Sequence, residues 1–181
     1  MTDEAPLQQW PTGSVPAGDG WFVVNVRDAA WLQHPAYGFA CLFENPRGTE
    51  FPELGVRIRV LLPGQPLGLY HAEEAQEGFL VLAGACVLLV EGEERPLRPW
   101  DFVHSPAGTE HMIVGAGDGP SALLAVGARH DPERLRYPAS GLAARYGASV
   151  AADTTDPDEA YAGTGEWGLG RPPGWDALPW A

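Results

Sequence analysis

The chain has 181 residues, 45% of them hydrophobic, with a formal net charge of −13 and eleven basic residues that are all arginine. That length suits one domain, with roughly 70% of the unfolded surface buried on folding, and no run approaches the ~18–20 apolar residues of a membrane span. The acidic balance argues against nucleic acid, whose phosphates need a basic face, and against an anionic membrane surface.

Residues 1–20 are rich in Pro, Gly and Asp without a period and read as a flexible N-terminal arm. Their start, "MTDEAPLQQW", is acidic and lacks an apolar centre, so no secretory signal is expected. "WFVVNV" (21–26) is a first strand candidate; 27–44 begins ambiguously and ends in a possible strand at 39–43. "VRIRVLL" (56–62) alternates, with Val56, Ile58 and Val60 on one side and Arg57 and Arg59 on the other, which predicts a half-buried strand. "PGQP" breaks it, and "LGLYHA" (67–72) is short and extended. "GFLVLAG" (78–84) is an apolar strand that stops at a glycine, and 85–98 reads as a hairpin around Glu91–Glu94. Residues 100–115 hold a strand, a Pro-Ala-Gly turn and a second strand; 121–129 is another. About seven short strands, turns every 8–12 residues and no helical stripe predict an all-β sandwich or barrel with mostly antiparallel neighbours.

Residues 130–181 read as a C-terminal extension, with a helical turn or two around 138–146 and a helix start near Pro157. Trp167, Trp175 and Trp180 are costly to leave in water and are expected to dock on the barrel or on a second subunit. Cys41 and Cys86 lie in apolar surroundings and read as buried small hydrophobes, which fits a cytoplasmic protein.

The chemistry-bearing stretch is "LYHAEEAQEGFLVLAG" (69–84), which crowds His71, Glu73, Glu74 and Glu77 against an apolar run. On an extended strand, residues i and i+2 share a face, so His71 and Glu73 look the same way. Glu77 follows after a turn and can face the same cavity, as can His111, which follows Pro106-x-Gly108 on another hairpin. Two imidazoles and two carboxylates suit a borderline divalent cation, whose charge removes the repulsion between the carboxylates. Four protein ligands on an octahedral ion leave two positions for water or substrate. Glu74 is expected to point outward, Tyr70 away from the cavity, Trp100 into the core, and His104 to be a core or rim histidine. No G-x-S-x-G elbow, P-loop or dinucleotide fingerprint is present, so any chemistry is expected to run through the metal.

These spacings resemble those of the cupins, small β-barrels whose first motif is G-x5-H-x-H-x3/4-E-x6-G and whose second is G-x5-P-x-G-x2-H-x3-N. His71, Glu77 and Gly84 fall on the first motif; Pro106, Gly108 and His111 fall on the second; the match covers about residues 55–129. Glu73 stands where the family has its second histidine, residue 65 is Gln where a glycine leads the first motif, the leading glycine of the second is replaced near Pro99-Trp100, and residue 115 is Gly where the family has Asn. The resemblance implies a double-stranded β-helix, or jelly-roll, barrel over 21–129. It also implies a divalent metal (Zn, Mn, Fe, Ni or Co) held by His71, Glu73, Glu77 and His111, with Gln76 the rival of Glu77. A small oxygen-rich or carbonyl substrate and a homodimer follow by the same analogy. Oxygenase, isomerase and decarboxylase chemistry all fit, and a non-catalytic ligand-binding or metal-binding module is the alternative.

Overall fold

Two sheets face each other across a barrel in the computed structural model, which describes residues 2–48, 50–129 and 134–181. The strands are β1 (Leu7–Trp10), β2 (Gly13–Pro16), β3 (Ala30–His34), β4 (Gly38–Leu42), β5 (Leu54–Leu61), β6 (Ala72–Glu73) and β7 (Glu77–Ala83). They continue with β8 (Ala85–Val90), β9 (Glu93–Leu97), β10 (Phe102–Ser105), β11 (His111–Ala116), β12 (Ser121–Ala128), β13 (Leu135–Arg136) and β14 (Gly168–Leu169). The larger sheet runs β10-β7-β12-β5-β4-β3-β14, the smaller β11-β8-β9, and β13 pairs with β6. Every paired strand is antiparallel to its neighbour. This is an all-β jelly-roll barrel. Among the described residues the α-helices, α1 (Gly141–Ala144) and α2 (Pro157–Ala160), are single turns, and α2 starts at an Asp156 cap with Pro157 in the first position.

The inward side chains grade from apolar to polar along each strand. Leu61, Val81, Leu123 and Ile113 are fully buried in one apolar cluster that plugs one end of the barrel. Two or four residues further, at the same inward parity, stand Arg59 and Arg57, Phe79 and Glu77, Ala125 and Gly127, and His111. The functional groups are therefore collected at the opposite end. Gly84 ends β7 with φ +72; a Cβ there would lie 2.6 Å from the Pro120 carbonyl oxygen, so the turn into β8 requires glycine.

The outer faces are also covered. Trp31, Ile58 and Val60 of the large sheet pack with Leu178, Trp175 and Trp180 of the C-terminal extension, the Trp31 ring lying 5.5 Å and 5.1 Å from the last two. On the small sheet, Leu89, Met112 and Val114 pack with Ala143 of α1.

Four local expectations differ from the structure. Residues 21–26 make no strand; Trp21 forms one bridge to Glu4, while Val24 and Val26 pack on the Trp31 cluster. Part of the segment read as an arm is the β1–β2 hairpin, held because Val15 is fully buried against Ala30 and Leu42; a twenty-residue composition average hides one anchoring valine. Trp100 is 74% exposed, not core. Its φ of +75 is the conformation glycine adopts at a turn, and it aims the ring into solvent. His104 faces out on β10 and is exposed.

The two tryptophans predict opposite outcomes in urea unfolding. Trp31→Ala should cost about 3–5 kcal/mol. Trp100→Gly should leave stability unchanged or raise it by up to about 1 kcal/mol by releasing the left-handed strain. A Trp100→Gly loss as large as that of Trp31→Ala would refute the exposed placement.

Candidate metal centre

His71 and His111 stand opposite each other in an antiparallel bridge. The His111 N–H donates to the His71 carbonyl at 2.9 Å, and the His71 N–H returns to the His111 carbonyl at 3.3 Å. Opposed residues project to one face, and both rings enter the polar end with centroids 5.1 Å apart. Glu77 opens β7 on the facing sheet and points at them.

The tautomer of each ring follows from its back contact. His71 Nδ1 lies 2.8 Å from the Leu69 carbonyl oxygen, and His111 Nδ1 lies 3.0 Å from that of Thr109. A carbonyl can only accept, so Nδ1 carries the hydrogen and the neutral ring presents a bare Nε2 lone pair. Both Nε2 atoms face Glu77 Oε2, at 2.8 Å from His111 and 3.6 Å from His71. The three ligand atoms lie within 4.8 Å of one another.

The 2.8 Å approach does not have the angles of a hydrogen bond. His111 Nε2 and Glu77 Oε2 are both buried, and neither finds a partner of acceptable geometry among the described residues. An imidazole lone pair facing a carboxylate oxygen is repulsive unless a cation lies between them. Ligands held at ~2.1 Å around one ion sit roughly 3.0–3.4 Å apart, and the 2.8 and 3.6 Å separations fall on either side of that range. The donor set therefore fits a divalent cation.

Without such an ion, protons can play part of the role. Burial alone would raise the Glu77 carboxyl, but the two imidazoles outweigh it and hold it down at about 2. Burial alone would lower His71, but Glu77, the Leu69 carbonyl and the Glu73 charge outweigh it and raise it above its ordinary 6.5. In ion-free protein, the Glu77 contribution to stability is lost as pH falls below its ordinary 4.5 toward 2, and that of His71 is lost as pH rises past 6.5. The pair thus stabilises ion-free protein best between pH 4.5 and 6.5.

Of the residues expected from the sequence, His71, Glu77 and His111 are brought together and Glu73 is placed beside them. Glu73 lines the adjoining cavity, and its charge reaches His71, but it is not in the three-residue group. Gln76, the rival of Glu77, is not in the three-residue group; it lines a second groove, which Glu77 also borders, with Leu54, Phe102 and His104. Glu74 is exposed and pairs with Arg134 at 3.4 Å. Tyr70 is buried in the outer cluster with Leu89 and Met112.

A cavity of about 250 Å³ adjoins the group, walled by Arg57, Arg59, Glu73, Glu77 and Phe79. It exists because the strand between β5 and β7 carries Ala125 and Gly127, which leave its floor low. A larger groove of about 560 Å³, lined by Glu73, Gly108 and Arg136, lies against the same Glu73 wall. Reading the sequence as a half-buried strand missed the two arginines as cavity residues. Tyr137 was also missed: its ring centroid lies 6.1 Å from that of His71, and Tyr161 packs edge-on against it. Both tyrosines come from the extension, where no periodicity marks them.

Residues 57–127 match the family model for the cupin domain. The barrel is a cupin domain. The match runs from β5 to β12 and encloses His71, Glu77 and His111. Among solved structures, a cupin-superfamily sugar phosphate isomerase from Silicibacter pomeroyi is 31% identical over 54% of this chain and 62% of its own, with a TM-score of 0.48. A protein from Acidithiobacillus ferrooxidans is 28% identical over 46% of this chain and 55% of its own, with a TM-score of 0.44. The chain therefore spans less than two thirds of either. The polyketide cyclase RemF from Streptomyces resistomycificus is 18% identical over 59% of this chain and 78% of its own, with a TM-score of 0.49. No curated protein matches the sequence. Within the cupin pattern, Trp100, with its positive φ, stands at the leading glycine of the second motif.

NMR titration of chelator-treated protein tests the electrostatics. His71 should titrate above 6.5, and Glu77→Gln should lower it, because burial is then opposed only by the Leu69 carbonyl and the Glu73 charge. An unchanged His71 value would break the coupling.

Proposed function

We propose that this cupin barrel is a divalent-metal-dependent enzyme acting on a small oxygen-rich or carbonyl compound. The supporting observation is that two imidazole nitrogens and a carboxylate oxygen lie within 4.8 Å of one another beside an open cavity, with His111 Nε2 and Glu77 Oε2 buried and unpartnered among the described residues. His71, Glu77 and His111 would hold the ion. A bound ion would supply a Lewis acid or an anchor for substrate or O₂ at the positions the protein leaves open.

The rest of the work falls to the chain. The Leu69 and Thr109 carbonyls fix both rings in the ligating tautomer, as backing hydrogen bonds do for metal-bound histidines generally. Phe79 lies against the His111 ring, with centroids 5.6 Å apart, and shields that ligand on its apolar side. A purely structural ion would be closed off by a fourth protein ligand. Among the described residues three converge and the cavity borders one of them, which favours catalysis over a non-catalytic binding module.

Elemental analysis of protein purified without tag or chelator should find one transition-metal ion per chain. His111→Ala and Glu77→Ala should weaken the metal by more than the ~10–100-fold typical of backing residues, whereas Glu73→Ala should stay within about that range. Metal-free wild type, or full metal retention in both ligand variants, would reject the proposal.

A further inference from the structure

Among the described residues, seven of the eleven arginines reach a carboxylate, and Arg47, Arg57, Arg59 and Arg171 do not. Arg57 and Arg59 do not form an ion pair with any described residue, although acidic residues outnumber arginines 24 to 11. They are i and i+2 on β5 and line one cavity wall, while their neighbours Ile58 and Val60 face the Trp31 cluster behind. Arg59 is 8% exposed, whereas Arg57, nearer the mouth, is exposed. Its Nε donates to the Phe39 carbonyl at 3.2 Å, and its Nη2 donates to those of Tyr37 and Leu67 at 2.8 and 2.9 Å. The Trp167 ring lies 5.1 Å from its guanidinium carbon.

That arrangement clamps the guanidinium while leaving its charge unmatched. Nη1 has no acceptor among the described residues, and three neutral carbonyls do not neutralise a buried cation. Burial, with the Arg57 charge beside it, pulls Arg59 down to about 9. Two guanidiniums close enough to repel each other, both on a cavity wall, are what an oxyanion would relieve, and a planar fork suits a carboxylate or phosphate.

The opposite wall supplies the second half of the argument. In register, Arg57 is level with Ala125 and then with Phe79, one inward step from Glu77. Two strand spacings, roughly 10 Å, separate the backbones of β5 and β7. The cavity thus has a cationic wall and a wall that carries a metal ligand. Its 250 Å³ is below the ~300–1,000 Å³ of drug-sized sites.

Resting on the metal reading of the neighbouring group, we infer that Arg57 and Arg59 form an anion-binding subsite, so that the substrate is a small compound with a carboxylate or phosphate group. The oxyanion docks on the arginines and places the remainder of the molecule toward His71, Glu77 and His111. Arg59 is positioned by its three carbonyls and gives the subsite its direction; Arg57, which makes no such bonds, adds charge.

Isothermal titration of as-purified protein with inorganic phosphate and, separately, with malonate tests this, with metal content measured on the same samples. At least one of the two anions should bind, and which one does assigns the group. Arg57→Gln should weaken that binding at least about tenfold with metal content unchanged, and Arg57→Lys should recover part of it. Arg59→Gln should weaken it too, but it also removes bonds that hold Tyr37 and Leu67, so Arg57 decides. Binding of neither anion, or equal affinity in Arg57→Gln, overturns the inference even if metal is present. Absent metal with Arg57-dependent anion binding would instead reject the metal reading and leave the subsite standing.

Discussion

The meeting of the two Nε2 lone pairs with Glu77 Oε2 is the constraint on which the polar end of the barrel depends. Nδ1 contacts to backbone carbonyls fix both tautomers, so the rings cannot turn a proton toward the carboxylate without becoming imidazolium. The antiparallel bridge between residues 71 and 111 holds the rings side by side, and β7 brings the carboxylate from the facing sheet. Such a cluster is unfavourable without a cation and well matched to one.

The rest of the fold makes that cluster affordable in structural terms by separating polar from apolar along each strand. Leu61, Val81, Ile113 and Leu123 seal one end, and the inward positions beyond them are charged, aromatic or small. Because the extension covers the large sheet from behind with Trp175, Leu178 and Trp180, the strand carrying Arg57 and Arg59 is apolar outward and cationic inward. The usual rule that arginines mark the solvent side of a strand is reversed here by that covering layer.

Much of this was legible from residues alone. Strand-and-turn rhythm in 56–129 marked the barrel, and the spacing from His71 through Glu77 to Gly84, with Pro106, Gly108 and His111, marked the group. Alternation allowed only one of Glu77 and Gln76 to face inward, and the motif spacing favoured Glu77. The limits were physical. A short strand such as 13–16 is decided by one buried valine, which composition cannot resolve. Trp100 sits where backbone conformation, not hydrophobicity, sets the direction of the ring. Alternation placed Arg57 and Arg59 together but could not say which face was interior, since that depends on a tail more than a hundred residues away. Glu73 shares a face with His71 by parity, yet it lies in a two-residue strand paired to β13, and its carboxylate is not in the converging group.

X-ray absorption at the edge of the metal carried by purified protein tests the convergence most directly. The expected result is two imidazole nitrogens and a carboxylate oxygen at ~2.0–2.2 Å, completed by light atoms from solvent. A metal whose shell contains no imidazole, or protein that binds none, would contradict the reading of His71, Glu77 and His111 as one centre.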